Sequence, residues 1–233
     1  LCLTEGPCTA LASAIPDLVN QDGYLKLSFG TWLSLSLLPA IHPRRQRITR
    51  QLHEEIQVQI ARFRQLCGAD IPLHLDGHQH VHLIPIVLDT VLGLVQTEQV
   101  TWIRTTAEPL PTDLPLNLWW ACVRQGGALK WLVLQCLTRL ARPKLQNANV
   151  VTNRSFAGVL FTGRMTGEAL ECCWHTNHCQ NASENGSRAM LLIHPAQSGG
   201  ADAMQQHQFT ESFAFFSSPE RQYEWEAMKN LNF

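Results

Sequence analysis

The residues best suited to chemistry lie close together in His74-Leu-Asp76-Gly-His78-Gln-His80-Val-His82, which holds four of the ten histidines of the chain and an aspartate within nine positions. Imidazole nitrogen and carboxylate oxygen suit Zn²⁺ and related divalent ions. A bound divalent ion can lower the pKa of its water from 15.7 to about 7, so a hydrolase is the natural expectation. If the segment stays extended, His74, Asp76, His78, His80 and His82 share one face. A helical turn from Gly77 aligns only His78 with His82, and Gly77 favours that turn. Hydrogen-bonded caps at strand and helix ends are the alternative use for such histidines. His194 closes an apolar strand ahead of Pro195, and its ring is expected at the same rim as Asp76 and His78, as a general acid or a further ligand, with a hydrogen-bonded strand-end residue as the alternative. Arg104 ends another strand, where it would orient a carboxylate or form a surface ion pair. Cys172-Cys173-Trp-His175-Thr-Asn-His178-Cys179 lacks the ligand spacing of a structural zinc site and reads as a variable loop. Trp119-Trp120 would stack on sugar rings or place at least one indole in the core.

The elements that must hold these residues follow from hydrophobic periodicity. Leu1 to Thr4 reads as the end of an apolar strand, and Trp32 to Leu38 is largely apolar. Ile48, Leu52, Ile56, Ile60 and Phe63 predict an amphipathic helix over Arg47 to Leu66, stopped by Gly68, with Glu54, Glu55, Arg62 and Arg64 on a solvated face. Ile71, Leu73 and Leu75 alternate with polar neighbours as in a strand. A helix over Ile84 to Leu94, a strand over Val100 to Arg104 and a helix over Leu116 to Leu140 broken near Gly126-Gly127 come next. Phe156 to Phe161 is a strand, Thr166 to Trp174 a helix, His175 to Arg188 a polar surface loop, and Ala189 to Ile193 a buried strand. Alternating helix and strand predicts an α/β fold with parallel crossovers, in a single domain over 1–233.

Composition narrows the partners. The 233 residues carry 18 Lys+Arg against 19 Asp+Glu, a formal net charge of -1, so no nucleic acid or anionic lipid partner is expected. With 45% hydrophobic and 16% charged residues, a large core is affordable and a disordered ground state is excluded. The most apolar stretch, Leu114 to Ala141, carries Arg124, Lys130, Arg139 and a Gly pair, so no membrane span is expected. The eight cysteines are expected to be reduced, and no secretory signal is visible, which favours a cytoplasmic site. Asn-x-Ser triplets begin at Asn153, Asn181 and Asn185, but such triplets arise by chance and carry no weight without secretion.

The run His74-Leu-Asp-Gly-His-Gln-His-Val-His-Leu-Ile-Pro85 resembles the central motif of the YdjC-like (ChbG/HpnK) carbohydrate deacetylases. Leu3-Thr-Glu-Gly6, Phe156-Ala-Gly-Val-Leu-Phe-Thr-Gly163, Leu192-Ile-His-Pro-Ala196 and Ser217-Ser-Pro-Glu-Arg-Gln-Tyr-Glu224 follow in the family's order. The resemblance implies a distorted (β/α) barrel of the polysaccharide-deacetylase type. It also implies a divalent ion, Mg²⁺ or Zn²⁺, held by one aspartate and two histidines, with His78 one of them. Asp76 would lie beside the metal and His194 in the catalytic pocket. The implied reaction is hydrolysis of an N-acetyl group on an amino sugar, and a homodimer is a further expectation. The family's Asp-Asp-Phe-Gly strand end and its second histidine ligand are not found in these residues. They would fall upstream of Leu1, so the domain is expected to be N-terminally incomplete and to lack its first βα segment; His82, one turn beyond His78, could stand in as a ligand, but no feature of the sequence selects it. Two other readings are an amidohydrolase-type metal hydrolase built on His78-Gln-His80, and an inactive truncated relative that binds carbohydrate.

Overall fold

The computed structural model describes residues 1–181, 189–195 and 213–229. It is a mixed α/β chain, about half helical. Two compact units divide it: Leu1–Arg104 with Arg139–Thr152, and Thr105–Thr138 with Asn153–Phe233.

The first unit contains α1 (Phe29–Ser36), α2 (Pro43–Cys67), β1 (Leu73–Leu75), a 3₁₀ turn (His78–Leu83), α3 (Pro85–Leu94) and β2 (Val100–Ile103). His42 caps α2 by accepting from the Arg44 N–H, Pro43 fills the first helical position, and Gly68 ends the helix at φ 111°. Ile48, Leu52, Ile56 and Ile60 bury the predicted stripe, and Phe63 stays exposed at the helix end. Glu55 departs from the expected solvated face. It is fully buried, and its carboxylate accepts from the N–H groups of Thr9 and Ala10 and from Gln59 Nε2. Gln59 in turn brackets the backbone of Cys2, accepting from its N–H and donating to its carbonyl, while the Trp32 indole donates to Leu3 O. Helix α2 therefore serves as a rack on which residues 1–10 are hung. Leu1 to Thr4 form no regular strand, although His78 N donates to Leu1 O beyond the end of β1.

Strands β1 and β2 are parallel, pairing Leu73 with Val100, His74 with Trp102 and Leu75 with Ile103. Leu73, Leu75, Val100 and Ile103 face the core and Ile71 does not, so the strand is shorter than its alternation suggested. On its other side β2 bonds to Val151.

The second unit contains α4 (Leu116–Arg124), the start of α5 (Gly127–Asn147), β3 (Ser155–Ala157), α6 (Gly167–Asn181), β4 (Ala189–Leu191), α7 (Phe213–Phe216) and α8 (Glu220–Lys229). Strands β3 and β4 are parallel and pair Phe156 with Met190. The break between α4 and α5 has a steric cause: a Cβ on Gly127 would lie 2.2 Å from Leu160 O, and Gly126 takes φ 77°. Leu114, Cys122, Leu160, Met165, Leu170 and Cys173 form the core, with Trp119 packed against it and Trp120 exposed. Glu108 anchors the loop after β3. Its buried carboxylate accepts from the N–H groups of Gly158, Val159 and Leu160, while burial pushes its pKa up to about 7 against those donors. Helix α6 runs through Cys172 and His175 to Asn181, where a polar loop was expected; residues 182–188 of that stretch lie outside the described residues. Cys2, Cys8, Cys67, Cys122, Cys136, Cys172 and Cys173 are free thiols. Among the described residues no helix is long and apolar enough to cross a membrane.

Candidate active site

The histidine cluster begins where β1 ends. His74 points away from the core on the exposed side of the strand, its ring 5.6 Å from that of Trp102. The chain stays extended through Asp76 and Gly77, and the 3₁₀ turn opens at His78 with Gly77 as the residue before it. Gly77 must be glycine, because a Cβ there would meet His82 Nδ1 at 2.6 Å. Within the turn Gln79 (φ 53°) and His80 (φ 61°) adopt the left-handed conformation. Neither is glycine, so each carries a backbone cost of about 1–3 kcal/mol that surrounding contacts must offset.

Those contacts converge on Arg104, which follows β2 and is buried. Its Nη2 lies 2.6 Å from Asp76 Oδ1, 3.0 Å from His80 Nδ1 and 3.4 Å from Gly77 O. An arginine only donates, so His80 Nδ1 is the acceptor and the His80 proton sits on Nε2. His82 Nε2 donates to Arg104 O at 2.8 Å, tying the far end of the turn to the same residue. Burial pushes the His82 pKa down to about 3, so the ring is neutral. Asp76 accepts the Gly77 N–H as well as Arg104, both on Oδ1. Burial raises its pKa, and the Arg104 charge and Gly77 N–H pull the other way. Arg104 is thus a buried guanidinium paired with an exposed carboxylate, which it orients.

On the opposite edge of the turn stands Glu5, a residue that motif spacing alone does not single out. Its carboxylate is nearly buried, and Oε1 lies 3.1 Å from both His78 Nε2 and Gln79 Nε2. The only hint in the sequence is its place in Leu3-Thr-Glu-Gly6. His78 and His82, which a regular helical turn would have aligned, instead engage Glu5 and Arg104.

His194 belongs to the other unit and is built into it from both sides. Its N–H donates to Glu224 Oε2, its carbonyl accepts from Arg221 Nη1 at 3.3 Å, and its ring packs edge-on against Phe215 at 5.1 Å. Glu224 also accepts from Met165 N, and Arg221 donates to Gly163 O and lies over the Phe215 ring. Three separate stretches of the sequence, around Gly163, His194 and Glu224, therefore close on one buried ion pair.

A family model described as YdjC-like protein matches residues 1–232. The chain belongs to the YdjC-like family. Among curated relatives, a chitooligosaccharide deacetylase of Serratia marcescens is 36% identical over 191 residues, covering 78% of this chain and 54% of its own. A carbohydrate deacetylase of Mus musculus is 43% identical over 58 residues, covering 25% of this chain and 18% of its own, and one of Danio rerio is 29% identical over 92 residues, covering 40% and 27%. The chain thus spans about half the length of the Serratia relative or less of the others. Among the described residues no group of three or more His, Cys, Asp or Glu is arranged to hold a metal ion. In this YdjC-like chain the donors near His78 are of the right chemical type but do not close a coordination shell by themselves.

Proposed function

We propose that this chain carries the active-site turn of a metal-dependent hydrolase that removes N-acetyl groups from amino sugars or oligosaccharides, on a distorted (β/α) barrel. The observation that carries the reading is the pairing of His78 with Glu5 and of Asp76 with Arg104, at the carboxyl end of the parallel β1–β2 pair, inside the family's central motif. Catalytic groups of α/β enzymes gather at that end of their strands. The names of the relatives supply the substrate class.

Amide hydrolysis needs a group to take a proton from water, charge stabilisation at the carbonyl oxygen and an acid for the leaving amine. Asp76 is the base: its Oδ1 is occupied by Arg104 and Gly77, which fixes the plane of the carboxylate and leaves Oδ2 as the oxygen that receives the proton. By resemblance to the family, His194 takes the part of the acid that gives a proton to the amine nitrogen. His78 is the imidazole ligand of a divalent ion, Mg²⁺ or Zn²⁺, and such an ion supplies a more acidic water and a polarised carbonyl when bound. The remaining ligands, on this reading, are those of the family's Asp-Asp-Phe-Gly strand and its second histidine. A homodimer and a cytoplasmic site belong to the same proposal.

The test compares this chain with a form joined to an Asp-Asp-Phe-Gly strand and the second histidine. Both are offered an N-acetylated chitooligosaccharide and a phosphodiester. Acetate release by the joined form, lost in Asp76→Asn, is expected; phosphate release instead would move the protein to the amidohydrolase type. His78→Ala should strip the joined form of bound metal, read by elemental analysis, whereas Cys173→Ala, in the apolar core of the other unit, should leave metal content unchanged. The second reading, an inactive relative that binds carbohydrate, is favoured by the lack of a three-ligand group among the described residues. Oligosaccharide binding without acetate release in the joined form would establish it.

A further inference from the structure

We propose that Arg104 is a positioning residue, a lock that holds the left-handed turn at Gln79-His80 and so fixes where His78 stands. The turn is an unusual object. Two consecutive residues with side chains sit at φ 53° and 61°, a region that L-residues enter singly and that glycine enters freely. Nothing in their own types selects this shape, so the selection comes from outside the turn. Arg104 is the group placed to supply it. One guanidinium nitrogen reaches a residue before the turn (Asp76), the carbonyl at its start (Gly77) and the ring of the second left-handed residue (His80). The same residue's backbone carbonyl takes the proton of His82 at the far end. Glu5 holds His78 and Gln79, and the His78 N–H rests on Leu1 O, while Arg104, which follows β2, reaches the second left-handed residue and the far end of the turn.

A planar guanidinium suits this task, since its N–H vectors are fixed relative to one another and cannot follow a drifting backbone as an ammonium could. Released from Arg104, the turn would relax toward negative φ, which swings the 78–79 peptide and separates His78 from Glu5. The consequence for catalysis rests on the deacetylase reading; the lock itself does not.

The test uses the 233-residue chain without metal or substrate. Long-range ¹H–¹⁵N spectra of the histidine rings report tautomer and surroundings. The wild type should show His80 and His82 as Nε2–H tautomers. Arg104→Met should shift the His78 and His80 ring signals and weaken the His78 to Glu5 contact. Adding His80→Gly, which makes the left-handed conformation inexpensive, should return the His78 signals to their wild-type positions. A role for Arg104 in packing alone would not be relieved by that glycine. If Arg104→Met does not fold, recovery of folding in the double variant supports the lock. Unchanged His78 signals in Arg104→Met, or no recovery in the double variant, overturns it. Acetate release is measured separately, so a sound lock with no deacetylation sinks only the functional reading.

Discussion

His82 shows how much one buried ring can contribute to the behaviour of the protein in acid. With its Nε2 proton on Arg104 O and its pKa pushed down to about 3, it stays neutral in the folded chain at any ordinary pH. An unfolded histidine takes up a proton below about pH 6.5, so the unfolded state binds more protons throughout the window from about 6.5 down to 3. Stability therefore falls as pH falls through that window, and between pH 7 and pH 5 this group alone removes about 2 kcal/mol. Urea unfolding at the two pH values should show a steeper loss for the wild type than for His82→Gln, whose amide still donates to the carbonyl. At this scale the sequence was only partly informative. His78 and Asp76 stood out because imidazoles are rare and these were crowded together. Glu5 did not, since a lone carboxylate in an apolar stretch has no partner until the fold brings residue 78 to it. Glu55 was misplaced for a related reason: helical periodicity puts it on the polar face, and what covers it is a loop 45 residues away in the chain.

At the scale of elements, apolar spacing was a reliable guide. Helices α2 and α3 and strands β1 and β2 lie where their patterns put them, because each has one face that must leave water. The extent of α6 was not legible. Its second half, from His175 to Asn181, is polar throughout and offers no stripe to count. The turn after β1 was legible only as far as Gly77. Left-handed residues announce themselves when they are glycine, and here they are Gln79 and His80. Two glycines give opposite expectations. Gly77→Ala puts a Cβ 2.6 Å from His82 Nδ1 and 3.0 Å from its backbone nitrogen, and should destabilise the protein by about 1–3 kcal/mol. Gly93→Ala, inside α3 with nothing within 4 Å of the new atom, should stabilise it by about 0.5–1 kcal/mol. Thermal unfolding of the two variants beside the wild type checks both signs.

Over the whole molecule, the alternation of helix and strand foretold a mixed α/β chain with parallel pairs, and the family resemblance spread over its length matches the family model over residues 1–232. The division into two compact units was not foretold, because the boundary passes through α5, a helix with no break in its sequence at Thr138-Arg139. In the second unit the buried Arg221–Glu224 pair joins three stretches of the sequence. Removing one partner of such a pair leaves a charge stranded in the interior, so Glu224→Ala should cost about 3–5 kcal/mol, with Arg221 the uncompensated group. Amide exchange at Met165 and His194, whose N–H groups Glu224 accepts, should accelerate together. Independent loss of only one of them would mean that the carboxylate does not join these stretches.

The same interior also holds the side chain of Asn153, which is 2% exposed. Its amide oxygen accepts from Thr105 N at 2.7 Å, and its nitrogen donates to the carbonyls of Thr105 and Ser155. That nitrogen is the atom to which an oligosaccharyltransferase would attach a glycan at the Asn153-Arg-Ser triplet. Passed through a secretory pathway, chains that fold promptly would keep the triplet bare, and chains that linger unfolded would acquire a sugar there and could not then close around it. A gel-mobility shift at residue 153 would therefore count the molecules that missed their chance to fold.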